Sequence, residues 1–190
     1  MTLERDGRPL RPAMIWMDVR SARQADAIAA TKDPALRVNG AGSGPVSAEW
    51  LIPKSLWIKE TQRELFDRTE KIGEYRDYIN LRLTGHVGAL ALSERPRRPA
   101  VSLLKTLMLE ELLDKWPMEA IAPGDIIGPL TRAAAEHLGL KADIPVVQGG
   151  ADAFIGMVGL GVTEPGEMAL ITGSSHLHLG VAASPVHKPG

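Results

Sequence analysis

The chain has 190 residues, 44% of them hydrophobic and 24% charged, which fits a folded domain with a sizeable core and excludes a disordered chain. Twenty-two Lys and Arg oppose 23 Asp and Glu, a net charge of -1, so no global field draws the protein to nucleic acid or anionic lipid. Having no Cys excludes disulfides, thiolate catalysis and Cys-ligated zinc. The N-terminus has no apolar signal core, and no apolar run approaches the roughly 20 residues of a membrane span, so a soluble cytoplasmic protein is expected.

Asp6-Gly7-Arg8-Pro9 predicts a tight turn at a hairpin tip. Ala13-Met14-Ile15-Trp16 reads as a short buried strand, and the Ala-rich stretch Ser21 to Ala30 as a helix. Asn39 to Pro45, with three Gly and one Pro, is a loop. Val46 to Glu60 predicts a helix with Pro53 near its first turn, where a missing N–H costs little. Glu64 to Leu83 continues the helical pattern until Thr84-Gly85. Residues 86–100 have no clear period; their cluster Arg95-Pro96-Arg97-Arg98 is too short for a nucleic-acid patch and reads as a solvated loop. From Ser102 to Trp116 the leucines form one apolar helical band, stopped by Pro117.

The last third changes texture. Pro123-Gly124 is a turn and Asp125 to Gly128 an extended piece. Thr131 caps a helix from Arg132 to Leu138, closed by Gly139. Pro145 to Gln148 is a strand leading into Gly149-Gly150-Ala151-Asp152, and Ala153 to Gly161 a Gly-rich helix. After a turn at Pro165-Gly166, Glu167 to Ile171 and His176 to Val181 are strands flanking Thr172-Gly173-Ser174-Ser175. The order predicts an α/β fold with a helical insertion between sheet-forming segments.

Two segments carry candidate chemistry. A strand running into paired glycines and a carboxylate at a helix start lets a ligand approach the backbone, and the free N–H groups there favour an ionised, oriented Asp152. The plainer reading makes Asp152 a helix N-cap. The Thr172-Gly173-Ser174-Ser175 turn offers N–H and O–H donors suited to phosphate; the plainer reading is a hairpin loop. One helix, one turn and one strand separate the two, which can bring both loops to the same sheet end.

Trp16-Met17-Asp18-Val19-Arg20, Pro53-Lys54-Ser55-Leu56-Trp57-Ile58-Lys59-Glu60, Asp77-Tyr78-Ile79-Asn80-Leu81-Arg82-Leu83-Thr84-Gly85, the stretch from Gly124 to Asp152 and Thr172-Gly173-Ser174-Ser175, in that order, resemble the FGGY family of carbohydrate kinases, with ribulokinase-like pentulose kinases nearest. The resemblance implies part of the actin-like, ribonuclease-H-like sugar-kinase N-terminal domain. It also implies phosphorylation of a pentulose such as ribulose, with ATP and Mg2+ as cofactors and a sugar and ATP as small-molecule partners. Asp152 becomes the catalytic base; Thr172, Gly173, Ser174 and Ser175 lie at the ATP phosphates; Glu49, Trp50 and Gly150 face the sugar. No protein-bound metal site is implied, and a homodimer of the full-length enzyme stays open. Glu49 and Trp50 read equally as a surface Glu beside a core Trp; Trp16 as packing and Asp18 as a hold on Arg20.

The chain departs from the family pattern in three places. It starts downstream of the family's Asp-x-Gly-Thr phosphate turn, stops before the nucleotide domain, and does not match over residues 86–100. Residues 1–190 are thus expected to be a partial N-terminal domain, inactive alone. A non-catalytic or split-kinase module, or a kinase of a polyol such as ribitol or erythritol, is the alternative. The pair His176 and His178, with His187 following, raises a metal hydrolase, and Ser174 or Ser175 a serine hydrolase, though the G-x-S-x-G elbow is absent.

Overall fold

Among the described residues, strands pair two by two. The computed structural model describes residues 1–38, 44–86, 89–90, 99–117, 119–173, 176–184 and 186. The Ser174-Ser175 pair, residues 39–43 of the first loop, the Arg95 to Arg98 cluster and His187 lie outside the described residues. The chain divides into two compact units, Met1–Gln148 and Gly149–Lys188.

In the first unit, β1 (Thr2–Leu3) pairs antiparallel with β2 (Lys71–Ile72), Thr2 opposite Ile72. The turn between Glu4 and Arg8 closes as the sequence predicts: the Gly7 N–H donates to the Glu4 carbonyl and the Glu4 N–H to the Arg8 carbonyl. The segment from Ala13 to Trp16 is not the buried strand expected of it: it joins no ladder among the described residues, and Ile15 and Trp16 are each 56% exposed.

Helix α1 (Ala22–Ala30) follows, then a 3-10 turn (Pro34–Val38) and α2 (Leu51–Thr61). Pro53 sits at the third position of α2, where no intrahelical N–H bond is forfeited. The helical pattern from Glu64 to Leu83 is two helices, α3 (Arg63–Arg68) and α4 (Tyr75–Thr84), with β2 between them. Thr69 ends α3 by turning its hydroxyl back onto the Leu65 carbonyl at 2.7 Å. The Asp77 carboxylate starts α4 by accepting the Glu74 N–H at 2.8 Å. Gly85, in the left-handed conformation, closes α4.

The leucine band is likewise broken, into α5 (Val101–Thr106) and α6 (Leu112–Lys115), with β3 (Ala89–Leu90) ahead of them. In one continuous helix Leu104 and Leu109 would point about 140° apart. A left-handed backbone at Met108 (φ 50) turns the chain back, so Leu104, Leu109 and Leu112 all reach the core with no exposed surface. That core joins them to Ile28, Leu56, Ile58, Phe66, Ile72 and Leu103. Burying a side chain the size of Phe66 contributes about 1.5–3 kcal/mol.

Three further strands complete the unit. β4 (Ala120–Ile121) runs parallel to β3. β5 (Ile126–Pro129) and β6 (Pro145–Val147) are antiparallel, with a register shift between Ile126 and Gly128. Between them α7 (Arg132–Leu138) begins where Thr131 Oγ1 accepts the Ala134 N–H at 3.3 Å and ends at left-handed Gly139, as predicted.

The second unit is a helix and a hairpin: α8 (Asp152–Gly159), β7 (Met168–Thr172) and β8 (His176–Gly180), with Thr172 opposite His176. Among the described residues no helix is long and apolar enough to cross a membrane.

Candidate functional site

Gln148, at the end of the first unit's main segment, is held through its N–H, its carbonyl and its side-chain Oε1, while its buried Nε2 has no partner among the described residues. Its N–H donates to the Asp125 carbonyl at 2.8 Å and its carbonyl accepts the Gly124 N–H at 2.9 Å. Its side-chain Oε1 accepts from Asn80 Nδ2 at 2.6 Å in a fully buried bond between β6's end and α4. The glycines that follow begin the second unit.

Within that unit, Ala151 is the residue before the helix, with extended backbone, and Asp152 is the first helical residue; the N-cap reading of Asp152 is corrected by one position. Asp152 is exposed. Its Oδ1 accepts the Ala153 N–H at 2.8 Å, and Oδ2 has no partner among the described residues. Gly150 is needed for space: a Cβ there would meet Ile155 Cδ1 at 2.9 Å. A Cβ on Gly156 would lie 3.9 Å from Ile171 Cδ1, so helix and strand touch there. That contact is one helical turn, about 6 Å of rise, from Asp152 and one strand residue from Thr172. Thr172 and Gly173 are exposed at the end of β7. His176 and His178 are exposed on β8; among the described residues no three His, Cys, Asp or Glu gather as a metal site would require.

The first unit holds a cavity of about 330 Å3, bordered by Arg11, Trp16, Glu49, Lys54, Glu74 and Tyr75 among others. Glu49 therefore stands at a cavity, whereas Trp50, the residue preceding α2 and 44% exposed, is not in its lining. Glu49 and Glu74 border the space together with Arg11, Lys54 and Met1, which carries the chain's amino group, so charges of both signs line it. Lys54 is only 6% exposed; burial lowers its pKa, against the pull of Asp18, Glu74 and Glu49. Asp18 holds Arg20 as expected, with Nε 2.8 Å from Oδ1, and this bond lowers the Asp18 pKa.

Lys54, Arg11, Glu74 and Tyr75 are cavity residues the sequence did not single out. For Lys54 a signal existed: a lysine inside the apolar Pro-Lys-x-x-Trp run, on the face that α2 buries.

The α/β arrangement is that of the actin-like sugar kinases. The xyloylose kinase of Brucella ovis superposes on 99% of this chain with a TM-score of 0.81 and 26% identity, the match covering 39% of that protein. Residues 1–91 match the FGGY family of carbohydrate kinases, N-terminal domain. The xylulose kinase of Escherichia coli is 30% identical over 98% of this chain and 39% of its own length. The ribulokinase of Shouchella clausii is 29% identical over 93% of this chain and 34% of its own length. The chain belongs to the FGGY family, and it spans about two fifths of the length of the curated relatives it matches.

Proposed function

We propose that this chain takes part in the ATP-dependent phosphorylation of a pentulose, as part of an FGGY N-terminal domain, with Asp152 as the base. The observation that carries the reading is the exposed Asp152 carboxylate, at a helix start two residues after Gly150 of the paired glycines, with one oxygen held by the Ala153 N–H and the other unpartnered among the described residues. Xylulose kinase recurs most often among the relatives' names, with ribulokinase beside it, which favours a five-carbon ketose. A cavity of about 330 Å3, at the small end of ligand pockets and lined by hydrogen-bonding groups of both charges, suits a small polyhydroxyl compound.

In this reading Asp152 Oδ2 accepts the proton of the attacking sugar hydroxyl as the new oxygen–phosphorus bond forms and ADP departs. Bound ATP supplies the γ-phosphoryl group, and magnesium arrives with it. The exposed Thr172 hydroxyl and Gly173 N–H are donors of the kind that phosphate oxygens accept, and Gly173 has no Cβ to bar their approach.

The test is coupled ADP release with D-xylulose, D-ribulose, L-ribulose and ribitol, on the longest polypeptide in which this chain is encoded. Pentulose-dependent turnover that Asp152→Asn lowers at least a hundredfold is expected. Turnover indifferent to Asp152→Asn, or seen with ribitol alone, would overturn the reading.

A further inference from the structure

The stretch from Arg11 to Arg20 has no regular secondary structure except a turn, yet Arg11, Ile15 and Trp16 from it form one wall of the first unit's cavity. A wall without a ladder or a helix needs another constraint, and α2 supplies it. The Ile15 carbonyl accepts two donors: the Asp18 N–H at 3.0 Å and Lys54 Nζ at 2.8 Å. One turn further along α2, the Trp57 ring lies under the Arg20 guanidinium at 5.0 Å and the Arg11 guanidinium at 5.9 Å. Lys54 and Trp57 are three residues apart, the spacing of neighbours on one helix face. They grip the segment at its middle and at both ends.

Lys54 is an expensive choice for that task. The residue is almost wholly buried, and among the described residues it makes no ion pair; its ammonium donates to a neutral carbonyl, with the carboxylates of Asp18, Glu74 and Glu49 acting from further off. A buried cation that hydrogen-bonds a neutral carbonyl and pairs with no carboxylate directly adds little net stability. What it does fix is geometry: the Ile15–Trp16 peptide, and with it the direction in which the Trp16 indole leaves the backbone.

We propose that Lys54 is a positioning residue for sugar binding: through the Ile15 carbonyl it holds Trp16 at the cavity wall, where the exposed indole meets the sugar. The sugar part of this statement rests on the pentulose reading above.

The experiment uses the longest polypeptide in which this chain is encoded, labelled with 5-fluorotryptophan, its Trp16 and Trp116 lines assigned with Trp16→Phe and Trp116→Phe. Lys54→Met keeps the aliphatic stem and removes the donors. It should shift or broaden the Trp16 line and weaken pentulose binding about tenfold, with the Trp116 line and the urea midpoint near those of the parent. Lys54→Arg, which retains a donor, should restore both line and affinity in part. A folded Lys54→Met with either an unmoved Trp16 line or unchanged affinity overturns the proposal, because a merely structural lysine would move the midpoint and leave these readouts alone. If Lys54→Met does not fold, Lys54→Gln is read by the same two criteria. If the parent chain binds no pentulose, the pentulose reading has failed, and the Trp16 line alone decides whether Lys54 positions the indole.

Discussion

Asp77 is a buried carboxylic acid in α4, and its replacement by Asn should stabilise the protein in a pH-dependent way. The side chain is 4% exposed; Oδ2 accepts the Glu74 N–H, and Oδ1 has no partner among the described residues. Burial pushes its pKa up from 3.8 to about 6. The bond from the Glu74 N–H, the Arg76 charge and the chain's amino-terminal charge pull the other way; the Glu74 charge adds to the rise. The sign follows from proton counting. Between 3.8 and 6 the folded chain keeps a proton that the unfolded chain has released, so stability falls as pH rises through that window. The stabilising contribution of the protonated group is whole below 3.8 and gone above 6, and the swing is about 3 kcal/mol. Asp77→Asn does not ionise and can still accept the Glu74 N–H. Urea unfolding of both proteins from pH 3.5 to 8, followed by tryptophan fluorescence, isolates the effect, because all four Trp lie in the first unit. The variant should gain on the parent as pH rises, reaching about 1.5 M in midpoint at a slope near 2 kcal/mol/M. A difference that stays constant to within about 0.5 kcal/mol across the range would refute the reasoning.

Asn80→Ala strips the buried Gln148 Oε1 of its partner beside an Nε2 that already lacks one, and should cost about 1–3 kcal/mol in urea unfolding. Gly150→Ala pushes a methyl to within 2.9 Å of Ile155 Cδ1; the Ile155 side chain must move off its present rotamer, at about 1 kcal/mol, and its δ1-methyl NMR signal should shift. Thr131→Ala removes the cap of α7 and should cost about 1 kcal/mol, seen as faster amide exchange at Ala134 and Ala135.

What could be read from the sequence was what neighbours in the chain decide among themselves. The α7 helix is legible because cap, Ala-rich body and terminal glycine all lie within nine residues. The hairpin of β7 and β8 is legible for the same reason, and so is the helix start at Asp152. Distant partners decide the rest. Two residues of β2 interrupt an otherwise helical pattern because β1, some seventy residues earlier in the chain, pairs with them. Met108 takes a left-handed backbone only because the core collects Leu104, Leu109 and Leu112 together. The apolar run around Lys54 hints at burial, but its partner, the Ile15 carbonyl 39 residues away, is visible only once the 11–20 segment has folded. Of the neighbours Glu49 and Trp50, only Glu49 lines the cavity, a difference that adjacency in the sequence does not reveal.

The break at Met108 also bears on the order in which this protein can be made. Phe66, Leu56 and Ile58 emerge from a ribosome with α2 and α3, well before the two short helices that cover them. Until Leu109 and Leu112 are synthesised and Met108 has turned back, the nascent chain carries half a core facing water. A pause in translation between α4 and α5 would therefore prolong an adhesive state, and folding helpers would have their longest opportunity to bind there.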